Sequence, residues 1–238
     1  MESLLNTVLP ALVMTLAATL QASFGYGYGI VAVPLLLLIN PDFVPAPFIF
    51  VSLILMISVS FANRKSLAGK PLLWIVIGLV VGTPVGVALL KYFKDFNYSV
   101  AVAGVILFGV GLSLLRIKIS INPLSQWLAG FMAAVMGTAT GVGGAPIALL
   151  YQYEKGWEIR AVLSLLFCIA SFFSFIGVAA GGLFQTQQFI LSAYLLPGVF
   201  IGHWLGARLA KITDKGYSRS AIIALSFASV IAVLLKSY

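Results

Sequence analysis

Two glycine-rich breaks are the places where this chain could do chemistry. The first reads Phe24-Gly25-Tyr26-Gly27-Tyr28-Gly29, with Pro34 beyond it; the second reads Thr140-Gly141-Val142-Gly143-Gly144-Ala145-Pro146. Each interrupts a strongly apolar stretch. Clustered glycine lets backbone come close to a ligand. A helix that restarts beyond the break offers N–H groups with no intrahelical partner, at the positive end of its dipole. Two such ends facing one another would hold an anion without a buried formal charge. Gly/Pro-interrupted hydrophobic segments at matching places in two halves are also the sequence pointer to a secondary transporter's binding site. The candidate ligand contacts are Gly25, Gly27, Gly29, Gly141, Gly143 and Gly144, with Gln21 and Thr140 as side-chain hydrogen-bonding partners. Tyr26 and Tyr28 either line or gate such a cavity or are packed aromatics with satisfied hydroxyls.

Few other residues offer reactive chemistry. His203, the only histidine, lies in an apolar stretch beside Gly202; it either exchanges a proton or stands neutral and bonded to a neighbouring helix. Arg208 and Arg64 close apolar segments and are read as interfacial or as lining an anion path. All six carboxylates, Glu2, Asp42, Asp95, Glu154, Glu158 and Asp214, fall at segment ends or in loops, which speaks against a proton relay of carboxylates through a membrane. No His/Cys/carboxylate cluster has metal-ligand spacing, and no Gly-Lys-Ser/Thr phosphate loop occurs. The Gly25-x-Gly27 pattern lacks the strand and acidic ribose partner of a dinucleotide site. No enzyme activity, cofactor or metal is expected. Cys168 stands alone within an apolar run and is read as a packing residue.

The elements that must position these residues are membrane helices. The chain is 61% hydrophobic and 8% charged, with a mean hydropathy of +1.11, too little charge to cover a soluble surface. Eight apolar units occupy residues 4–39, 44–62, 72–90, 98–115, 124–153, 161–183, 189–210 and 221–235; the first and fifth are the interrupted ones. Most are long enough to cross a hydrocarbon core of about 30 Å. Gly78, Gly82, Gly86 and Lys91 in the third unit recur as Gly198, Gly202, Gly206 and Lys211 in the seventh, at one offset of 120 residues. These glycine ladders lie on one helical face and are read as helix-packing devices. Two repeats are therefore expected, residues 1–118 and 119–238, together forming one transmembrane domain.

Loop charge orients the repeats. If both interrupted units dip in and return as re-entrant hairpins, one side holds Arg64, Lys65, Lys70, Arg116, Lys118, Lys155, Arg160, Arg208, Lys211, Lys215 and Arg219. The other side then holds only Lys91, Lys94 and Lys236. That bias makes the first side cytoplasmic. Each half becomes a broken hairpin plus three transmembrane helices, an odd number of crossings, so the second repeat is inverted. The fold class is all-α and polytopic, with both termini outside. The opening segment, residues 4–24, is long enough either to span or to start on the surface. The net charge of +8 reflects these orienting loops rather than a nucleic-acid partner, and no removable signal peptide is read at the N-terminus.

At the two breaks the chain resembles the sulfite exporter TauE/SafE family. The residues that carry the match are Gly25-Tyr26-Gly27-Tyr28-Gly29 with Val33-Pro34-Leu35-Leu36, and Gly141-Val142-Gly143-Gly144-Ala145-Pro146 with Leu149-Leu150-Tyr151. The Gly82/Gly86 and Gly202/Gly206 pairs follow the family's pattern too. The resemblance spans essentially the whole chain. It implies a bacterial inner-membrane protein that exports or imports sulfite or another small sulfur-containing or organic anion, driven by an ion gradient. The expected partners are that anion and the bilayer; a homo-oligomer is compatible with the sequence. A passive anion channel and a membrane scaffold are the alternative readings.

Overall fold

A computed structural model describes residues 2–25, 27–63, 72–94, 98–114, 117–153 and 156–209. Tyr26, Arg64 and the last apolar unit, residues 221–235, lie outside the described residues. Among the described residues nine α-helices follow in order: α1 (Glu2–Phe24), α2 (Tyr28–Ile39), α3 (Ala46–Asn63), α4 (Leu73–Lys94), α5 (Tyr98–Leu114), α6 (Pro123–Thr140), α7 (Gly144–Tyr151), α8 (Gly156–Ala180) and α9 (Thr186–Leu209), with a 3-10 turn at Pro41–Phe43. No strand occurs among the described residues. Among the described residues four helical segments are long and apolar enough to cross a membrane: Thr7–Phe24, Leu73–Phe93, Ala161–Ala180 and Thr186–Leu209. Large apolar side chains such as Leu12, Trp74, Phe108, Phe172 and Phe200 stand exposed on the outside, as a lipid-facing surface requires.

The helices begin and end where backbone chemistry dictates. Asn122 caps α6 by accepting from the Ser125 N–H, and Ser125 returns the bond to Asn122, a reciprocal cap with Pro123 at the first helical position. α1 and α6 both stop on a glycine in the left-handed region, Gly25 and Gly141, each at φ 82°. Each of these glycines donates its N–H to the carbonyl four residues back, Gln21 and Gly137 respectively, at 2.8 Å. A side chain at that φ would be strained, so glycine makes both stops abrupt. The helices restart within three residues.

The arms of the two breaks are unequal. With 23 residues α1 is about 35 Å long, long enough by length and composition to cross a membrane. The restarting helices are short: α2 has 12 residues and α7 has eight, about 18 and 12 Å. Pro146 falls in the first turn of α7, where its missing N–H is harmless. Pro34 lies inside α2 and shapes that helix rather than starting it.

Packing interlocks the two halves of the chain. The most extensive helix contacts are α4 against α6 and α1 against α9, and the glycine ladders form both. A Cβ on Gly82 would stand 2.5 Å from the Phe131 carbonyl oxygen, and one on Gly86 would stand 2.7 Å from the Thr138 Cβ. On the other side a Cβ on Gly202 would strike the Thr15 carbonyl and stand 2.8 Å from the Ala18 Cβ, while one on Gly206 would stand 2.6 Å from both the Thr19 oxygen and the Ala22 Cβ. Thr15, Ala18 and Ala22 occupy the same places along α1 that Phe131, Ala134 and Thr138 occupy along α6. Thr19 Oγ1 and Ser23 Oγ then donate to the Gly202 and Gly206 carbonyls, each at 3.2 Å. The ladders therefore do pack helices, backbone on backbone. One apolar core joins α1, α2, α3, α5 and α9; a second joins α4, α6, α7 and α8. Each core thus takes a helix from the far half of the chain.

Candidate functional site

The two breaks meet. A Cβ on Gly29, in the first turn of α2, would stand 2.7 Å from the Gly141 carbonyl oxygen, and one on Gly141 would touch Val33 and Phe48. Beside this contact lies a cavity of about 90 Å³, room for a few waters or one small anion. The broken segments line it with Gly27, Tyr28, Gly29 and Ile30 on one side and Gly141, Val142, Gly143, Gly144 and Ala145 on the other. The flanking helices add Gln21, Phe48, Ser52, Met56, Phe167 and Ser171, among others. None of the described lining residues carries a charge.

Each break brings backbone donors to the residues that line this space. Tyr28, Gly29 and Ile30 open α2 behind Gly27, whose φ of 101° turns the chain into the helix. Gly144 and Ala145 open α7 behind Gly143. Their N–H groups precede the first intrahelical bond, and Pro146 leaves α7 with two such donors instead of three. Both helix dipoles direct their positive ends to the same cavity.

Seven of the ten sequence-predicted ligand contacts line the cavity: Gln21, Gly27, Tyr28, Gly29, Gly141, Gly143 and Gly144. Gly25 does not; it is buried at the stop of α1, and its carbonyl accepts from Gln21 Nε2 at 2.9 Å. Thr140 does not either. Its hydroxyl donates to the Met136 carbonyl at 2.8 Å and accepts from the Val142 N–H at 3.2 Å, so it braces the turn at the second break. Tyr26 lies outside the described residues. The Tyr28 ring stacks on Phe48 with centroids 4.8 Å apart, so this tyrosine both packs and lines.

His203 and Arg208 are not among the lining residues. The His203 Nδ1 is buried without a hydrogen-bond partner among the described residues. Arg208 is exposed and lies over the Trp204 ring, 3.7 Å from its centroid, a cation–π pair on the outer surface. Arg64 lies outside the described residues. Three serines were not anticipated. Ser52 on α3 donates to the Phe48 carbonyl at 2.6 Å, Ser174 on α8 pairs with Thr138 at 2.7 Å, and the Ser171 hydroxyl makes no hydrogen bond to a described residue. Among the described residues no three His, Cys, Asp or Glu side chains gather as metal ligands.

The fold and the cavity define an all-helical membrane protein with an uncharged site at two broken helices. The family model described as sulfite exporter TauE/SafE matches residues 10–233, nearly the whole chain, and the protein belongs to that family, one of membrane transporters rather than enzymes. No curated protein matches the chain, and no solved structure does.

Proposed function

We propose that the protein is a secondary transporter, in the direction of export, for a small anion such as sulfite or a related sulfur-containing or organic anion. The anion binds between the two breaks. The observation that carries this reading is the convergence of the α2 and α7 N-termini on one uncharged cavity: helix ends supply partial positive charge and donors, and no fixed cation traps the ion.

The arrangement is read as two inverted repeats, residues 1–118 and 119–238, whose broken segments meet near the membrane midplane. Equal φ at Gly25 and Gly141 and the matched glycine contacts of α4 on α6 and α9 on α1 support it. The eleven basic residues on one side support a cytoplasmic face there, in the inner membrane of a bacterial cell, with both termini outside.

Flux into proteoliposomes tests this function. Saturable uptake of sulfite that responds to an imposed proton gradient is expected. Unsaturable flux that follows the anion gradient alone would instead favour a passive channel, and no flux with any small anion would favour a scaffold.

A further inference from the structure

The polar groups of the cavity are not all donors, and the exceptions narrow the substrate. Gln21, 1% exposed, lines the cavity and gives its Nε2 hydrogen to the Gly25 carbonyl at 2.9 Å. That bond fixes the amide, because the flipped form would set carbonyl against carbonyl. The Oε1 is left with no hydrogen-bond donor among the described residues. Ser52, 6% exposed, has spent its only proton on the Phe48 carbonyl; its oxygen lies beside the Tyr28 hydroxyl and has a second lone pair with which to accept from a ligand. Both oxygens are thus open to a ligand or water that carries a hydrogen.

We infer that the cavity selects a singly charged oxyanion that keeps one hydroxyl proton, the bisulfite form rather than the sulfite dianion. The inference rests on the transport reading above and deepens it. The α2 and α7 N–H groups take the oxyanion's bare oxygens, and the Gln21 and Ser52 oxygens take its O–H. A dianion fails on both counts. Its oxygens only accept, so they would face the Gln21 and Ser52 oxygens lone pair to lone pair. The cost of moving an ion out of water also grows as the square of its charge, and no described lining residue supplies a formal positive charge to offset it. Ser171, uncommitted, can donate or accept as the ligand demands.

Three anions separate the possibilities in proteoliposome flux, each corrected for protein-free vesicles: sulfite, which loses its second proton near neutral pH; methanesulfonate, singly charged with no O–H; and sulfate, doubly charged throughout. Taking sulfite relative to methanesulfonate cancels any pH response of the protein itself. That ratio is expected to fall roughly tenfold per pH unit above the second ionisation of sulfite, with sulfate at background. Gln21→Leu and Ser52→Ala should each lower the ratio several-fold at acidic pH, and the wild-type pH series stands even if the first variant folds poorly. A ratio flat across pH, or sulfate flux equal to that of sulfite, would overturn the inference while leaving the transporter standing. No flux with any of the three would remove the transporter reading and the inference with it.

Discussion

Gly82→Ala should destabilise the protein although it adds a single methyl group. The new Cβ would stand 2.5 Å from the Phe131 carbonyl oxygen, 2.9 Å from the Ala134 Cβ and 3.1 Å from the Phe131 Cα. Ordinary contact begins at 3.4 Å, so α4 and α6 must separate by about 0.9 Å, or one must bend. The obstacle is backbone and cannot rotate away. Overpacking of this kind costs about 1–3 kcal/mol, and an interface of small residues has few other contacts to compensate. Gly104→Ala on α5 is the control, because a Cβ there meets nothing within 4 Å; lower backbone entropy should leave it neutral or better by about 0.5–1 kcal/mol. Thermal unfolding in one detergent measures the pair. At roughly 2–4 °C per kcal/mol for a chain of this size, Gly82→Ala should melt about 2–16 °C below Gly104→Ala. If the two variants melt together, α4 and α6 are not in backbone contact and the reasoning about the ladders is wrong.

Other variants separate the site from its frame. Gly144→Ala would bring a Cβ to 3.1 Å from Phe167 Cζ, a side-chain tip that can yield; the variant should fold normally while sulfite flux drops roughly tenfold, the equivalent of about 1.4 kcal/mol. Thr140→Val strips the hydroxyl that serves Met136 and Val142; it should cost about 1–3 kcal/mol of stability and leave the order of anion preference unchanged. Ser171→Ala should weaken sulfite binding about fivefold, near 1 kcal/mol, without moving the melting temperature. For topology, cysteine placed at exposed Ser120 in a Cys168→Ala background should resist an impermeant thiol reagent in whole cells, whereas cysteine at exposed Gln187 should react.

The helices were legible because long apolar runs end at proline, glycine or charge, and the described elements follow those runs to within a few residues. The breaks were legible because clustered glycine has no place in a simple packed helix. Two things were hidden. Sequence shows that Gly82 and Gly202 sit on small-residue faces, yet nothing local says that α4 packs on α6 and α9 on α1; that pairing joins distant parts of the chain. The serines were hidden for a different reason. A serine in a membrane helix usually bonds its own backbone four residues back, as Ser52 does, so its oxygen becomes a cavity group only once α3 is placed beside α2. Thr140 erred the other way: a hydroxyl next to the break looked free for a ligand but closes the local turn. The full length of α1 was left open because residues 4–24 contain nothing that stops a helix before Gly25.

The location of the anion tests the account most directly. Selenite, a heavier analogue of sulfite, can be found in crystals by its anomalous scattering. One peak is predicted between the first turns of α2 and α7, within hydrogen-bonding distance of the Gly29 and Gly144 N–H groups, lost in Gly144→Ala. A peak elsewhere, beside His203 for instance, with this cavity empty in a protein that still transports sulfite, would contradict it.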